Sequence, residues 1–159
     1  MRLTVAGLVL ILISSVIYQW KFASYDFTGT RWMCSESKSG FTSETYRQFK
    51  KVTEITSMYF NSEEKVTYFQ TGVLVHSDGM EEPYELILTA DNETSGNRLK
   101  QTFTRIDWNL KPTHTPFYIR DKDSIVGYKS DLRYEVDGKR LYFFNQAGSE
   151  DVNIACHQT

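Results

Sequence analysis

Residues 126–144 read VGYKSDLRYEVDGKRLYFF, and the fold is decided there. Val126, Tyr128, Ser130, Leu132, Tyr134 and Val136 alternate with Gly127, Lys129, Asp131, Arg133 and Glu135. Successive side chains of a strand point to opposite faces, so the run has one largely apolar and one charged face, as in a sheet wet on one side. Asp137-Gly138 follows, a pair that reverses the chain tightly because glycine accepts a positive φ, and Leu141–Phe144 returns.

A second such pair, Asp78-Gly79, divides Lys65–His76 from Glu82–Ala90. Val52–Phe60 and Leu99–Trp108 read as further strands, set apart by the polar runs 61–64 and 91–97. Thr30–Glu36 and Val152–His157 supply a first and a last strand. About eight strands at this spacing predict an all-β protein, an up-and-down antiparallel β-barrel or meander. One short helix is expected over Thr42–Lys51, where Thr42 and Ser43 precede Glu44, and Tyr46 and Phe49 stand three apart. Leu110–Ser124 holds Pro112 and Pro116 among mixed charges and is expected to be a long loop or lid.

The chain of 159 residues has room for one ordinary domain. Hydrophobic residues at 40% and charged residues at 24% argue against disorder. A net charge of −2 lacks the basic excess of a dedicated nucleic-acid binder. Aromatics reach 14% with only three Pro, a composition suited to a pleated, half-buried surface.

Residues 1–20 are a separate unit. Leu3–Trp20 carries no charge and is rich in Leu, Val and Ile. Its length as a helix is roughly 27 Å, about the hydrocarbon thickness of a bilayer. Tyr18, Trp20 and Lys21 have the character of interfacial anchors. The segment is read as a single transmembrane anchor with a cytoplasmic N-terminus; the alternative is a cleaved secretory signal ending near Ala23. Either reading places 21–159 outside the cytoplasm as one exported domain. Of the 18 basic residues Arg2 alone lies in the first twenty, leaving 17 against 20 acidic and a net charge of −3.

The exported part holds both cysteines, Cys34 and Cys156. In an oxidising compartment two cysteines near opposite ends of a domain are most simply a disulfide. They fall on the first and last strands, which are neighbours in a closed meander, so the bridge would clasp the barrel seam.

Catalytic patterns are not found. His76-Ser77-Asp78 contains triad residue types, yet neighbours on a strand face opposite ways and cannot align as nucleophile, base and orienter. Asp121-Lys122-Asp123 opens like a calcium loop, but Ile125 occupies the third ligand position. The expectation is a protein that is not an enzyme and uses no cofactor or metal. Tyr68, Tyr84, Phe103, Tyr128, Tyr134, Tyr142 and Phe144 fall on strands at mixed parity, more rings than one small barrel core consumes. Ordinary packing is one reading. The other is a ligand or partner surface built from Tyr68, Tyr84, Phe103, Tyr128 and Tyr134 with His114, Phe117 and Tyr118 of the loop.

A short anchor, an exported β-domain and Thr28-Gly29-Thr30-Arg31-Trp32 opening the first strand give the chain an architectural resemblance. It resembles the membrane-anchored periplasmic accessory proteins of transmembrane transcription activators, the group of ToxS, VtrC, PsaF and MyfF, with the last two closest in size and layout. Two residues separate Gly29 from Trp32, where true lipocalins have one. The resemblance implies a lipocalin-like barrel in the periplasm, anchored in the bacterial inner membrane. It implies a heterodimer with the exported domain of a single-pass activator, no nucleic-acid contact by this chain, and regulation of virulence or fimbrial genes. A small amphipathic ligand such as a bile salt, or pH, is the implied signal. Two other readings stay open: an autonomous exported lipocalin-like binder of a small apolar ligand, and a membrane-tethered inhibitor of an external enzyme.

Overall fold

Asp137 and Arg140 face each other across the expected hairpin turn, with Gly138 at φ 57° between them. The computed structural model describes residues 11–16, 24–144 and 153–159. Its strands are β1 (Arg31–Lys38), β2 (Phe49–Ser62), β3 (Lys65–His76), β4 (Glu81–Ser95) and β5 (Arg98–Leu110). A helix, α1 (Pro116–Asp123), precedes β6 (Lys129–Asp137), β7 (Arg140–Phe144) and β8 (Ile154–Gln158). Each strand pairs antiparallel with the next, and β8 returns to β1, closing an eight-stranded up-and-down barrel. Closure leaves each strand with a neighbour on both sides over part of its length.

The helix lies where a loop was expected, and the expected helix is absent. Within Thr42–Lys51, residues 44–48 form turns, with Arg47 N–H donating to Ser43 O, before Phe49 enters β2 opposite His76. One helical turn cannot compete there with the β2–β3 ladder that begins at the same residue. Pro116 instead opens α1, where its fixed φ suits the first turn and its missing N–H costs no hydrogen bond.

Cys34 and Cys156 are bonded and stand opposite each other in the β1–β8 register, with Cα atoms 4.2 Å apart. Both are buried, so the clasp on the seam lies on the inner face of the barrel.

The two barrel ends differ. At one, short turns join β2 to β3, β4 to β5 and β6 to β7, and residues 24–30 strap across the opening. Phe27 stacks on Phe60 with ring centroids 4.5 Å apart and meets Tyr134 edge-on at 5.0 Å. The Tyr134 hydroxyl accepts from Tyr25 N–H and donates to Gly96 O. Trp32, Phe60, Leu88, Leu99 and Leu141 fill the interior behind this strap, each 2% exposed or less. At the other end lie the long connections and α1, which define the lid end.

Of the segment expected to be an anchor, 11–16 are helical and exposed, and the rest of Met1–Trp20 lies outside the described residues. Among the described residues no helix is long and apolar enough to cross a membrane.

Candidate functional site

One inward row of side chains in the lid half, just below the Lys38–Val52–Leu74–Glu82 row, is unusual for a barrel core. Glu36 on β1 is in register with Glu54 on β2, Glu54 with Gly72 on β3, and Gly72 with Tyr84 on β4. A Cβ on Gly72 would come within 2.5 Å of both Thr53 O and the Tyr84 ring. The missing side chain therefore lets Tyr84 lie across β3 and bring its hydroxyl to Glu54, to which it donates. The other Glu54 oxygen accepts from Thr56 Oγ1 at 3.0 Å and Gln70 Nε2 at 3.1 Å.

From above, α1 lowers Tyr118 and Lys122 onto this row. Tyr118 is fully buried, its ring 5.5 Å from Tyr84 and 5.8 Å from both Tyr46 and Phe49. Its hydroxyl abuts Tyr84 but makes no hydrogen bond of acceptable geometry. Lys122 Nζ sits 3.5 Å from Glu54 Oε2 and 5.6 Å from the Tyr118 ring centroid. Burial acts to raise the Glu54 carboxyl, but Lys122 and the Tyr84 and Thr56 hydroxyls hold it below its ordinary value. Burial acts to neutralise Lys122, and Glu54 outweighs it, so the ammonium persists. Tyr118 is pushed up to about 12 by burial. The pair is thus ionic in an interior where an uncompensated charge would be costly.

A second carboxylate bolts the approach to α1. Glu82 is 6% exposed; one oxygen lies 3.0 Å from His76 Nε2. The other accepts from Thr113 N–H at 2.9 Å and His114 N–H at 2.8 Å, and lies 2.9 Å from His114 Nδ1. Burial acts to raise the Glu82 carboxyl, yet the bonds from His114, His76 and Thr113 prevail and bring it to about 2. At the far end of α1, Asp123 accepts from Trp108 Nε1 at 2.7 Å and Lys111 Nζ at 3.2 Å. Three carboxylates (Glu54, Glu82 and Asp123) therefore hold the lid, two of them from the barrel wall.

No protein-family model matches the chain, and no curated protein matches it.

Beside the lid the wall is incomplete. β5 pairs with β4 as far as Leu110, but with β6 only as far as Thr102. Phe103 N–H to Tyr128 O and Gly127 N–H to Phe103 O are the last backbone bonds on that side. Among the described residues no strand pairs with 104–110 along this margin. Large apolar side chains stand exposed at this end: Leu110 at 42%, Val126 at 49%, Phe117 at 55% and Tyr128 at 60%. Both Val126, in the turn before β6, and Tyr128, immediately ahead of its first residue, lie where β6 no longer pairs with β5.

The aromatics singled out in the sequence do not converge on one site. Tyr134 is buried beneath the strap, and Tyr68 is buried inside, donating to Gln101 Oε1 at 2.6 Å with half-buried Phe103 beside it. Tyr84 and Tyr118 are buried under the lid, while His114, Phe117 and Tyr128 reach the surface. Sequence reasoning missed Glu54, Glu82 and Lys122. A signal existed for Glu54, which shares the parity of Val52, Met58 and Phe60 in β2.

Proposed function

We propose that this chain is an inner-membrane-anchored periplasmic accessory protein, which binds and stabilises the exported domain of a single-pass transmembrane transcription activator. The observation that carries the reading is the unpaired margin of β5 at 104–110, with Leu110, Phe117, Val126 and Tyr128 exposed at the same end. An extended partner segment can continue the β5 ladder through main-chain bonds, while its side chains cover the exposed rings. Exposed apolar groups at one end of a domain mark such contacts. The packed rings inside the barrel support a partner surface over an autonomous carrier of an apolar ligand. The apolar character of Leu3–Trp20 supports the anchor, and the disulfide suits an oxidising compartment.

Co-expression with a candidate single-pass activator is the test. The expected result is mutual protection from proteolysis, through binding linkage, that is lost when Phe117 and Tyr128 are both changed to Asp. Unchanged lifetimes of both proteins, alone or together, would reject the reading.

A further inference from the structure

The Glu54 row is more elaborate than holding a lid requires. A carboxylate is placed on the inner face of β2, given hydrogen bonds from Tyr84, Thr56 and Gln70, and left to take its counter-charge from a different element. Gly72 forgoes a side chain so that the Tyr84 hydroxyl can reach it. Lys122 fills the seat loosely: 3.5 Å is long for an ammonium–carboxylate bond, which closes to about 2.7–2.9 Å when unconstrained. Two further polar groups there are buried and incompletely satisfied, the Tyr118 hydroxyl having only its contact with Tyr84. Gln70 Oε1 accepts nothing, and the Tyr118 hydroxyl, on a residue with no exposed surface, makes no hydrogen bond of acceptable geometry. An ammonium has three donors. Glu36, the register partner of Glu54 on the same face, brings a second carboxylate, now ion-paired with Lys38 at 3.0 Å.

We propose that the Glu54 seat, with Gln70, Tyr84 and Tyr118, is a binding site for a primary aliphatic amine, occupied in this closed form by the protein's own Lys122. A free amine can approach Glu54 more closely than a lysine whose helix is tied down at Asp123, and can donate to Gln70 Oε1 as well. The apolar stem lies against Tyr118 and Tyr46, and rings beside a cation add their own attraction. Binding must expel Lys122, so site occupancy and the seating of the last turn of α1 exclude each other. This inference is independent of the partner reading.

Calorimetric titration of the full chain with 1,4-diaminobutane tests it, with 1,4-butanediol as the uncharged control. Removing the internal competitor in Lys122→Ala should tighten amine binding at least tenfold over the parent, with Lys122→Met, which keeps the stem bulk, as a second variant. Adding Glu54→Gln should abolish that gain, and the diol should not bind. In the parent protein, saturating amine should speed hydrogen exchange across 116–124. Equal affinity in the parent and both Lys122 variants, binding that survives Glu54→Gln, or an α1 unmoved by the amine would each overturn the proposal.

Discussion

Replacing Cys34 and Cys156 with Ala should weaken the domain more than any other pair of substitutions remote from the lid. The bond joins residues 122 apart, and a ring of that size restricts the unfolded chain by about 5 kcal/mol in the chain-entropy model. Native disulfides of exported domains contribute about 2–5 kcal/mol when removed, so a loss of about 4 kcal/mol is the working figure. The folded state also depends on it: among the described residues the seam is registered only from Trp32 to Cys34 against Cys156 to Gln158, with the bond at its inner limit. Urea unfolding of the parent and of the Ala pair would read the difference. With a denaturant slope of about 2 kcal/mol per molar, the midpoint should fall by about 2 M. The slope itself should rise, because the unfolded chain loses its tether. A midpoint within 0.3 M of the parent, on the order of half a kcal/mol, would refute the reasoning that the bridge, rather than the ladders, secures the seam.

Gly72→Ala should destabilise by about 1–3 kcal/mol, because its Cβ has nowhere to go between Thr53 O and the Tyr84 ring; thermal unfolding would show it. Glu82→Gln should alter the acid limb of stability. The folded carboxyl lies near 2 against an ordinary 4.5, so its contribution is complete above pH 4.5 and is lost as the pH falls toward 2. The parent should therefore lose stability relative to the variant across that window, in acid titrations followed by tryptophan fluorescence. Phe117→Asp and Tyr128→Asp should each leave the fold within about 0.5 kcal/mol of the parent, since both side chains are exposed, while weakening capture of the partner domain in pull-down.

The strand order was legible because each element carries its own signal. The Asp-Gly pairs mark two hairpins, period-two alternation marks Lys129–Asp137, and the two cysteines identify which strands must meet. Strand ends were less legible. Asp91–Asn97 is polar and reads as a separator, yet Asn92 faces inward and accepts from Gln101 Nε2, extending the β4–β5 ladder to Ser95 and Arg98. The helix was misplaced because prolines suggest loops, while Pro116 is an opening residue and Thr42–Lys51 yields to β2. The lid clamps were hidden for a different reason. Glu82 meets His114, and Glu54 meets Lys122, only after the chain has folded α1 back over the barrel, and no local pattern encodes that distance in sequence. Phe117 and Tyr128 were legible as surface candidates, but not as separate from buried Tyr68, Tyr84, Tyr118 and Tyr134, because exposure there depends on where β6 stops pairing with β5.

Hydrogen exchange of the chain alone and mixed with the exported domain of the proposed activator tests the partner-completed wall most directly. The β5 amides directed toward the open margin at 104–110 should exchange fast in the free chain and be strongly protected in the complex, with the β4-facing amides protected in both. Equal exchange at that margin in the free and bound samples would contradict a partner-completed wall.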